Sequence, residues 1–212
     1  MSFLFPIIAA FLQASSVTLD KMVLSLKRVD FRTYTVMSFP LSFLVNLALF
    51  FIFLPSFPDA GFQGSYGWLL GGTISIGFLI NILFYRALDH DKLGEIETLS
   101  LLNAIPVIII SSFLFADERN IGILVLALVA SLAIIWSHWE RHHMQIARNT
   151  LPYIVFSLLL APISAALSKE LLTIWNPIAL EAVRTGVLAA GFLFVFRNAI
   201  TRVSGKALFL LI

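Results

Sequence analysis

The sequence predicts an all-α fold, a polytopic membrane helical bundle, and three observations support this class. Hydrophobic residues make up 59% of the 212 residues and charged residues only 12%, whereas soluble domains average roughly 45–50% and about 25%. The charges are clustered, and the charge-free runs between them approach the ~20 residues that a helix needs to cross a bilayer. Unbroken runs of this length favour helices over the ~10-residue alternating strands of a membrane β-barrel.

Hydropathy and helix breakers divide the chain into seven complete spans. The first run has no basic segment before it and no small-residue cleavage site after it, so we interpret it as a retained span. Short polar turns such as Pro55–Asp59 and Asp117–Asn120 separate the spans and leave no room for an inserted soluble domain. The predicted spans are Phe3–Leu19, Tyr34–Leu54, Trp68–Tyr85, Thr98–Phe115, Ile121–Trp139, Leu151–Ser168 and Ile178–Phe196.

The last residues form a shorter apolar stretch. Ala207–Ile212 follows Lys206 and begins like another span, but it is far too short to cross a bilayer. We therefore expect the chain to stop inside an eighth helix, with seven complete helices before it. A terminal apolar anchor is the alternative.

An internal repeat appears when the sequence is aligned with itself at an offset of 148 residues. The identical pairs are Ser16 with Ser164, Leu19 with Leu167, Lys21 with Lys169 and Leu24 with Leu172. Five spans precede the repeat point, and an odd number forces the second copy into the opposite orientation. The sequence therefore predicts an inverted 5+5 repeat, the plan of secondary transporters, with a first five-helix unit at 1–148 and a truncated second unit at 149–212.

Three stretches of the first unit carry a pattern of short motifs: Tyr85–Leu88, Glu97–Val107 and Asp117–Glu118. An alanine-leucine pair closes the third span, a Pro-Val pair lies within the fourth, and a glutamate follows it. This pattern resembles the EamA-like branch of the drug/metabolite transporter superfamily. Leu180–Arg184 is similar to the arginine-bearing start of the second helix of a repeat in that family, although the first copy has Val36 at the position of the arginine.

The resemblance covers essentially the whole chain and implies a permease with a small-molecule substrate.

Lys and Arg residues are concentrated on one side of the predicted membrane, which puts the N-terminus outside by the positive-inside rule. The usual arrangement of the family has both ends in the cytoplasm, so the absolute topology stays open. We expect an integral, multi-pass protein of the cytoplasmic membrane of a bacterium or archaeon, with the lipid bilayer as partner; a homodimer is left open.

Polar residues deep inside the spans are the candidate substrate-binding residues, because polar side chains facing lipid are costly and transporters bind near the midplane. An interhelical hydrogen bond, worth about 0.6 to 2 kcal/mol, is the alternative for most of them. For Tyr85 the alternative role is an interfacial anchor, and for Arg184 it is a surface ion pair with Glu181. The candidates are Gln13, Ser16, Asn81, Tyr85, Ser100, Asn103, Ser164 and Arg184.

The fourth span adds a kink and a coupling candidate. Pro106 frees the carbonyl of Leu102 from its helical hydrogen bond, so a polar group or a substrate can use it. Glu97 opens this helix, where negative charge complements the helix dipole, and it is the candidate coupling residue. Small multidrug-resistance relatives carry a membrane glutamate about two turns before a lysine on their first helix; here Gln13 stands eight residues before Lys21, at the comparable place. An amide there argues against proton-coupled export of cationic drugs.

Other function classes find little support. The chain has no cysteine, and we find no phosphate loop, zinc motif or nucleophile elbow, so we expect no enzyme activity, metal or cofactor. The basic residues form no stripe with interleaved aromatics, which argues against nucleic acid as a partner. A seven-helix receptor is an alternative from another class, but Ile178–Phe196 lacks the lysine that a retinal protein needs. A secondary carrier of small polar metabolites such as amino acids is the leading hypothesis, and a drug or lipid-linked-substrate exporter of the same superfamily is the second.

Overall fold

The computed structural model describes residues 4–26, 29–90, 93–115, 121–142 and 150–200. Within these ranges the backbone forms eight helices and no β-strand, as predicted. The helices are α1 Leu4–Leu24, α2 Phe31–Phe53, α3 Gly64–His90, α4 Leu93–Leu114, α5 Ile121–His142, α6 Leu151–Leu171, α7 Pro177–Val195 and α8 Arg197–Ile200. The predicted turn at 117–120 and the apolar stretch at 207–212 lie outside the described residues.

Five of these helices are long and apolar enough to cross a membrane: α1, α2, α3, α6 and α7. The helices α4 and α5 contain shorter apolar stretches, Ile105–Leu114 and Leu124–Ala133. Large apolar side chains lie on the outside of the bundle; Phe11 is 72% exposed and Trp68 is 84% exposed. Such a surface fits contact with lipid and does not fit contact with water. An integral membrane protein built as a helical bundle is thereby supported.

Several helices extend beyond the predicted spans. The helix α1 continues through Asp20 and Lys21 to Leu24, although the prediction ended it at Leu19. The helix α3 runs from Gly64 to His90, beyond both predicted ends. At the C-terminal ends of α1 and α3 the prediction stopped at charged residues, whereas the backbone of a helix continues through a charge whose side chain finds a partner.

Backbone capping fixes both ends of α2. Asp30 precedes the helix in an extended conformation, and its Oδ1 accepts a hydrogen bond of 2.9 Å from the backbone N–H of Thr33. At the other end Leu54 adopts the left-handed conformation with φ 44°, and its N–H donates to the carbonyl of Phe50. These two caps satisfy backbone groups that a helix end otherwise leaves without partners.

One end of the bundle, called here the Asp20 end, collects the ends of α1 and α3 and the starts of α2 and α6. The Nζ of Lys21 in α1 donates to the backbone carbonyl of Leu88 in α3. The rings of Tyr34 in α2 and Tyr85 in α3 have centroids 5.1 Å apart. Phe84 in α3 meets Tyr153 in the first turn of α6 at 5.5 Å. The helices α2 and α6 therefore begin where α1 and α3 end.

The helices α2 and α7 pack against each other in opposite directions. Ring contacts join Phe31 to Phe196 at 6.0 Å and Phe39 to Phe192 at 4.5 Å. Further from the Asp20 end, a Cβ added to Gly186 would lie 2.9 Å from the ring of Phe43. The missing side chain at Gly186 thus allows the two helices to approach closely, and α7 ends at the Asp20 end.

A carboxylate–tyrosine cluster as candidate functional site

A carboxylate of α1 is held by tyrosines of two other helices. The hydroxyl of Tyr34 donates a hydrogen bond to Oδ1 of Asp20, and the hydroxyl of Tyr85 interacts with the same carboxylate. The two rings pack against each other with an interplanar angle of 51°. We call these three residues the Asp20 cluster.

The helices place the cluster below the surface of the bundle. Asp20 lies four residues before the end of α1, Tyr34 in the first turn of α2, and Tyr85 five residues before the end of α3. At 1.5 Å per residue these positions lie about 5 to 8 Å from the helix ends. Ionisable side chains inside membrane spans are rare and mark functional sites by default, because an unpaired charge there is costly.

Apolar residues surround the cluster on the α3 side. Phe84 and Phe39 meet the ring of Tyr85 at 5.2 Å and 6.2 Å, both edge to face. Ala87 and Leu88, in the next turn of α3, are fully buried in the same core. In such surroundings hydrogen bonds to a carboxylate are stronger than in water, and the loss of one is correspondingly expensive.

Ser38 lies one turn along α2 from Tyr34 and adds a further polar group. Its Oγ is buried, and the residues that the structure describes supply no hydrogen bond of ordinary geometry to it. The hydroxyl is nevertheless near enough to interact with that of Tyr34. Tyr34 therefore has two polar neighbours, the carboxylate of Asp20 and the hydroxyl of Ser38.

Two further carboxylates hold the start of α2 at the aqueous edge of the cluster. Oδ2 of Asp89 accepts a hydrogen bond of 3.3 Å from the backbone N–H of Phe31, and Asp30 caps the helix through Thr33. Burial by itself would raise the pKa of the Asp30 carboxyl, but the hydrogen bonds from Thr33 and the charge of Arg32 outweigh it and hold the pKa below its usual value.

Among the predicted site residues, Tyr85 belongs to the cluster and Asn103 joins two helices elsewhere. Oδ1 of Asn103 in α4 accepts a hydrogen bond of 3.0 Å from the hydroxyl of Ser157 in α6. Asn81 instead donates to the carbonyl of Gly77 in its own helix at 2.7 Å. The amide of Asn81 is thus satisfied locally, whereas that of Asn103 bridges α4 and α6.

The other predicted residues lie apart from the cluster. The side chains of Gln13 and Ser16 are exposed on α1, and Ser164 is half-buried in α6. Arg184 is 23% exposed and forms a salt bridge of 3.7 Å with Glu181, one turn earlier in α7. The remaining two predictions, Ser100 and Glu97, fall within α4, but their side chains lie outside the described part of the chain.

The sequence prediction missed Asp20 and Tyr34. Both stand at the ends of predicted spans, where a charge or a tyrosine is usually taken as an interfacial residue. A signal was present: Asp20 is seven residues after Gln13 and shares its helical face, and tyrosines occur at the matching ends of the next two spans. Only the extension of α1 beyond Leu19 brings these groups inside the bundle.

The comparisons with known proteins identify no family for the chain. No family model, no curated protein and no solved structure matches it. The features of the chain that bear on its function are therefore the Asp20 cluster and the directions in which the helices pack.

Proposed function

We propose that the protein is a secondary transporter, a carrier and not an enzyme, that moves small polar metabolites such as amino acids across a membrane by alternating access. The observation that carries this proposal is the antiparallel packing of α2 and α7. These helices are the second helix of each predicted repeat, and they are in direct contact along much of their length.

The direction of the other equivalent pair supports the same plan. The offset of 148 residues matches α1 with α6, and α1 ends at the Asp20 end where α6 begins. Two units related by a two-fold axis in the membrane plane have this arrangement. We propose a full plan of ten helices in EamA-like units, with 1–148 as the first unit, 149–212 as part of the second, and α4 and α5 as crossing helices.

Polar contacts between helices give the carrier its candidate substrate path. Asn46 of α2 meets Thr185 of α7, and Asn103 of α4 meets Ser157 of α6. These pairs join helices of the first unit to helices of the second. A substrate with hydroxyl, amide or carboxylate groups can exchange hydrogen bonds with them as the units move against each other. Pro106, half a helix along α4, supplies a freed carbonyl to the same path.

The distribution of basic residues suggests the orientation. Lys21, Arg32, Arg86 and Arg197 lie at the Asp20 end, whereas Lys169 is near the opposite end of α6. By the positive-inside rule, this asymmetry favours a cytoplasmic Asp20 end and an external start of α1. The proposed location is the cytoplasmic membrane of a bacterial or archaeal cell.

A second candidate is the export of lipid-linked or apolar substrates, and one groove favours it. A cavity of about 290 Å³ lies between α2 and α7. Its lining is almost entirely apolar, and it is open at the surface of the bundle. The lining includes Phe43, Phe50, Phe57, Val183 and Gly186. An acyl or aromatic group entering from the bilayer would fit this surface.

Transport assays on the complete protein distinguish the candidates. The purified carrier is reconstituted in liposomes, preloaded with unlabelled amino acids and supplied with the labelled compounds. Counterflow of at least one amino acid is expected, and it is expected to fall when Asn103 is replaced by Leu. The control is Ile109→Ala, a change in the same helix at a side chain that is 39% exposed. Movement of fluorescent lipid or drug analogues without amino acid counterflow would favour the second candidate. No movement of either class would overturn the transporter proposal.

A further inference from the structure

We propose that the Asp20 cluster binds the ion whose gradient drives transport, and that this ion is a proton carried on the carboxyl group of Asp20. The inference rests on the proposed transport function and names its driving ion. The sequence prediction placed a coupling candidate at Glu97, on another helix, so the cluster gives the carrier a different coupling residue.

The contacts of Asp20 suit a proton better than a metal cation. The oxygens that could bind a cation, those of Asp20, Tyr34 and Tyr85, already interact with one another. A sodium ion would have to draw these oxygens out of their present contacts, including the hydrogen bond from Tyr34 to Asp20. A proton needs no shell of oxygen ligands and adds to one carboxylate oxygen.

Two opposing effects act on the protonation of Asp20. Apolar surroundings inside a membrane favour the neutral acid, whereas the hydrogen bond from Tyr34 and the neighbouring hydroxyl of Tyr85 favour the carboxylate. The titratable groups around it are Tyr34 on α2, Tyr85 on α3 and its neighbour Lys21 on α1, which donates to the carbonyl of Leu88. Tyr153 of α6 lies behind Phe84 in the same core.

Proton binding changes how firmly α1 is attached. The carboxylate accepts charge-assisted hydrogen bonds, which are roughly twice as strong as those of a neutral acid. When Asp20 is protonated, the hydroxyl of Tyr34 can turn to the buried Oγ of Ser38, which needs a partner. The cluster thus has two hydrogen-bonding arrangements, one that holds α1 to α2 and one that releases it.

The rest of α1 allows such a release. Ile7, Phe11 and Leu12 in its first half are 61 to 72% exposed, whereas Leu24 at its end is 5% exposed. The helix is therefore held to the bundle mainly through its last two turns, where the Asp20 cluster lies. Loosening these turns opens a path from the cytoplasmic side, and this step links the proton to alternating access.

Infrared difference spectroscopy tests proton binding without knowledge of the substrate. The pH around the complete protein in lipid nanodiscs is lowered from about pH 8 to about pH 5, the range of physiological pH switches. We expect a carbonyl band of a protonated carboxylic acid that shifts with ¹³C-labelled aspartate. The band is expected to vanish in Asp20→Asn and to persist in Asp30→Asn and Asp89→Asn, whose carboxylates cap α2.

A pair of tyrosine variants tests the hydrogen bonds. Tyr34→Phe removes a donor that favours the carboxylate, so a larger share of Asp20 should be protonated at a given pH. Tyr153→Phe, which changes a buried tyrosine at the same end, should leave the titration unchanged. A band that persists in Asp20→Asn, no band at all, or binding of ²²Na⁺ that depends on Asp20 would overturn the proton proposal.

Reconstituted vesicles separate this inference from the proposed function. If substrate counterflow continues in Asp20→Asn and an imposed pH gradient still drives accumulation of the substrate, the carrier function stands and the role of Asp20 is wrong. If Asp20 titrates as expected and no substrate or proton moves through the protein, the proton site stands and the transporter proposal fails.

Discussion

Asn46 of α2 and Thr185 of α7 lie face to face, with Nδ2 and Oγ1 3.5 Å apart. The same hydroxyl of Thr185 donates to the carbonyl of Glu181 at 2.7 Å, so its oxygen is oriented to accept from the asparagine. This pair joins the two helices that we assign to equivalent places in the two repeats. It is the most direct link between them in the middle of the bundle.

Cysteines at these two positions should form a disulfide. The chain has no cysteine of its own, so Asn46→Cys with Thr185→Cys gives one defined pair. We expect rapid cross-linking by a mild oxidant, because the two positions face each other across the helix interface. The readout is a mobility shift on non-reducing gels.

The matched control is Asn46→Cys with Ser164→Cys, which places the second thiol on α6. It should remain uncross-linked under the same conditions. Equal cross-linking of both pairs would contradict the packing of α2 on α7.

A side chain at Gly186 should destabilise the packing of α7 on α2, since it would meet the ring of Phe43. A Cβ there would lie 2.9 Å from that ring, whereas at Gly71 no atom lies within 4 Å. We expect Gly186→Ala to destabilise the protein by about 1 to 3 kcal/mol through overpacking and Gly71→Ala to have little effect. Thermal unfolding in detergent measures both. Equal melting temperatures for the two variants would show that α2 and α7 do not approach closely.

The cap of α2 should weaken in acid. The pKa of Asp30 is held below its usual value in the folded protein. Its contribution to stability is therefore fully present above the unfolded pKa, near 4, and is lost as the pH falls through the lower folded pKa. Melting temperatures measured down this range should fall more steeply for the wild type than for Asp30→Asn.

Asp30→Asn is the matched control for the charge of Asp30. Asparagine caps a helix as well as aspartate does, and it does not titrate. The variant should keep a stable α2 at neutral pH. Identical pH profiles for the two proteins would mean that Asp30 contributes nothing in its charged form.

Water should reach the polar residues between the two units of a carrier. Single cysteines at Asn81 and Asn103 should react with aqueous thiol reagents in the complete protein, and Gln13→Cys tests the exposed face of α1. Phe11→Cys, on a side chain that is 72% exposed on the membrane-spanning surface, is the lipid-facing control. Protection at Asn103 would remove the proposed substrate path, and protection at Gln13 and Asn81 would exclude these two positions from any aqueous cavity.

The helical class and most helix positions could be predicted, because apolar runs near 20 residues leave a chain in a membrane few other choices. The ends of the helices could not be predicted, since the sequence does not tell whether a charged side chain faces water or a tyrosine of another helix. Asp20 shows this: only contacts from α2 and α3 place it inside the bundle. Likewise, the position of Asn81 within the third span predicted a polar side chain deep in the membrane. The hydrogen bond from its amide to the carbonyl of Gly77 could not be predicted, because it depends on the conformation of the side chain.

The attachment of α1 has a consequence for biosynthesis. Asp20 leaves the ribosome long before Tyr34 and Tyr85, the two groups that stabilise it. Until α3 has been translated, its carboxylate has only one of these partners, and the hydrocarbon layer is a poor environment for it. The final turns of α1 are therefore expected to stay at the aqueous surface until α3 has been made.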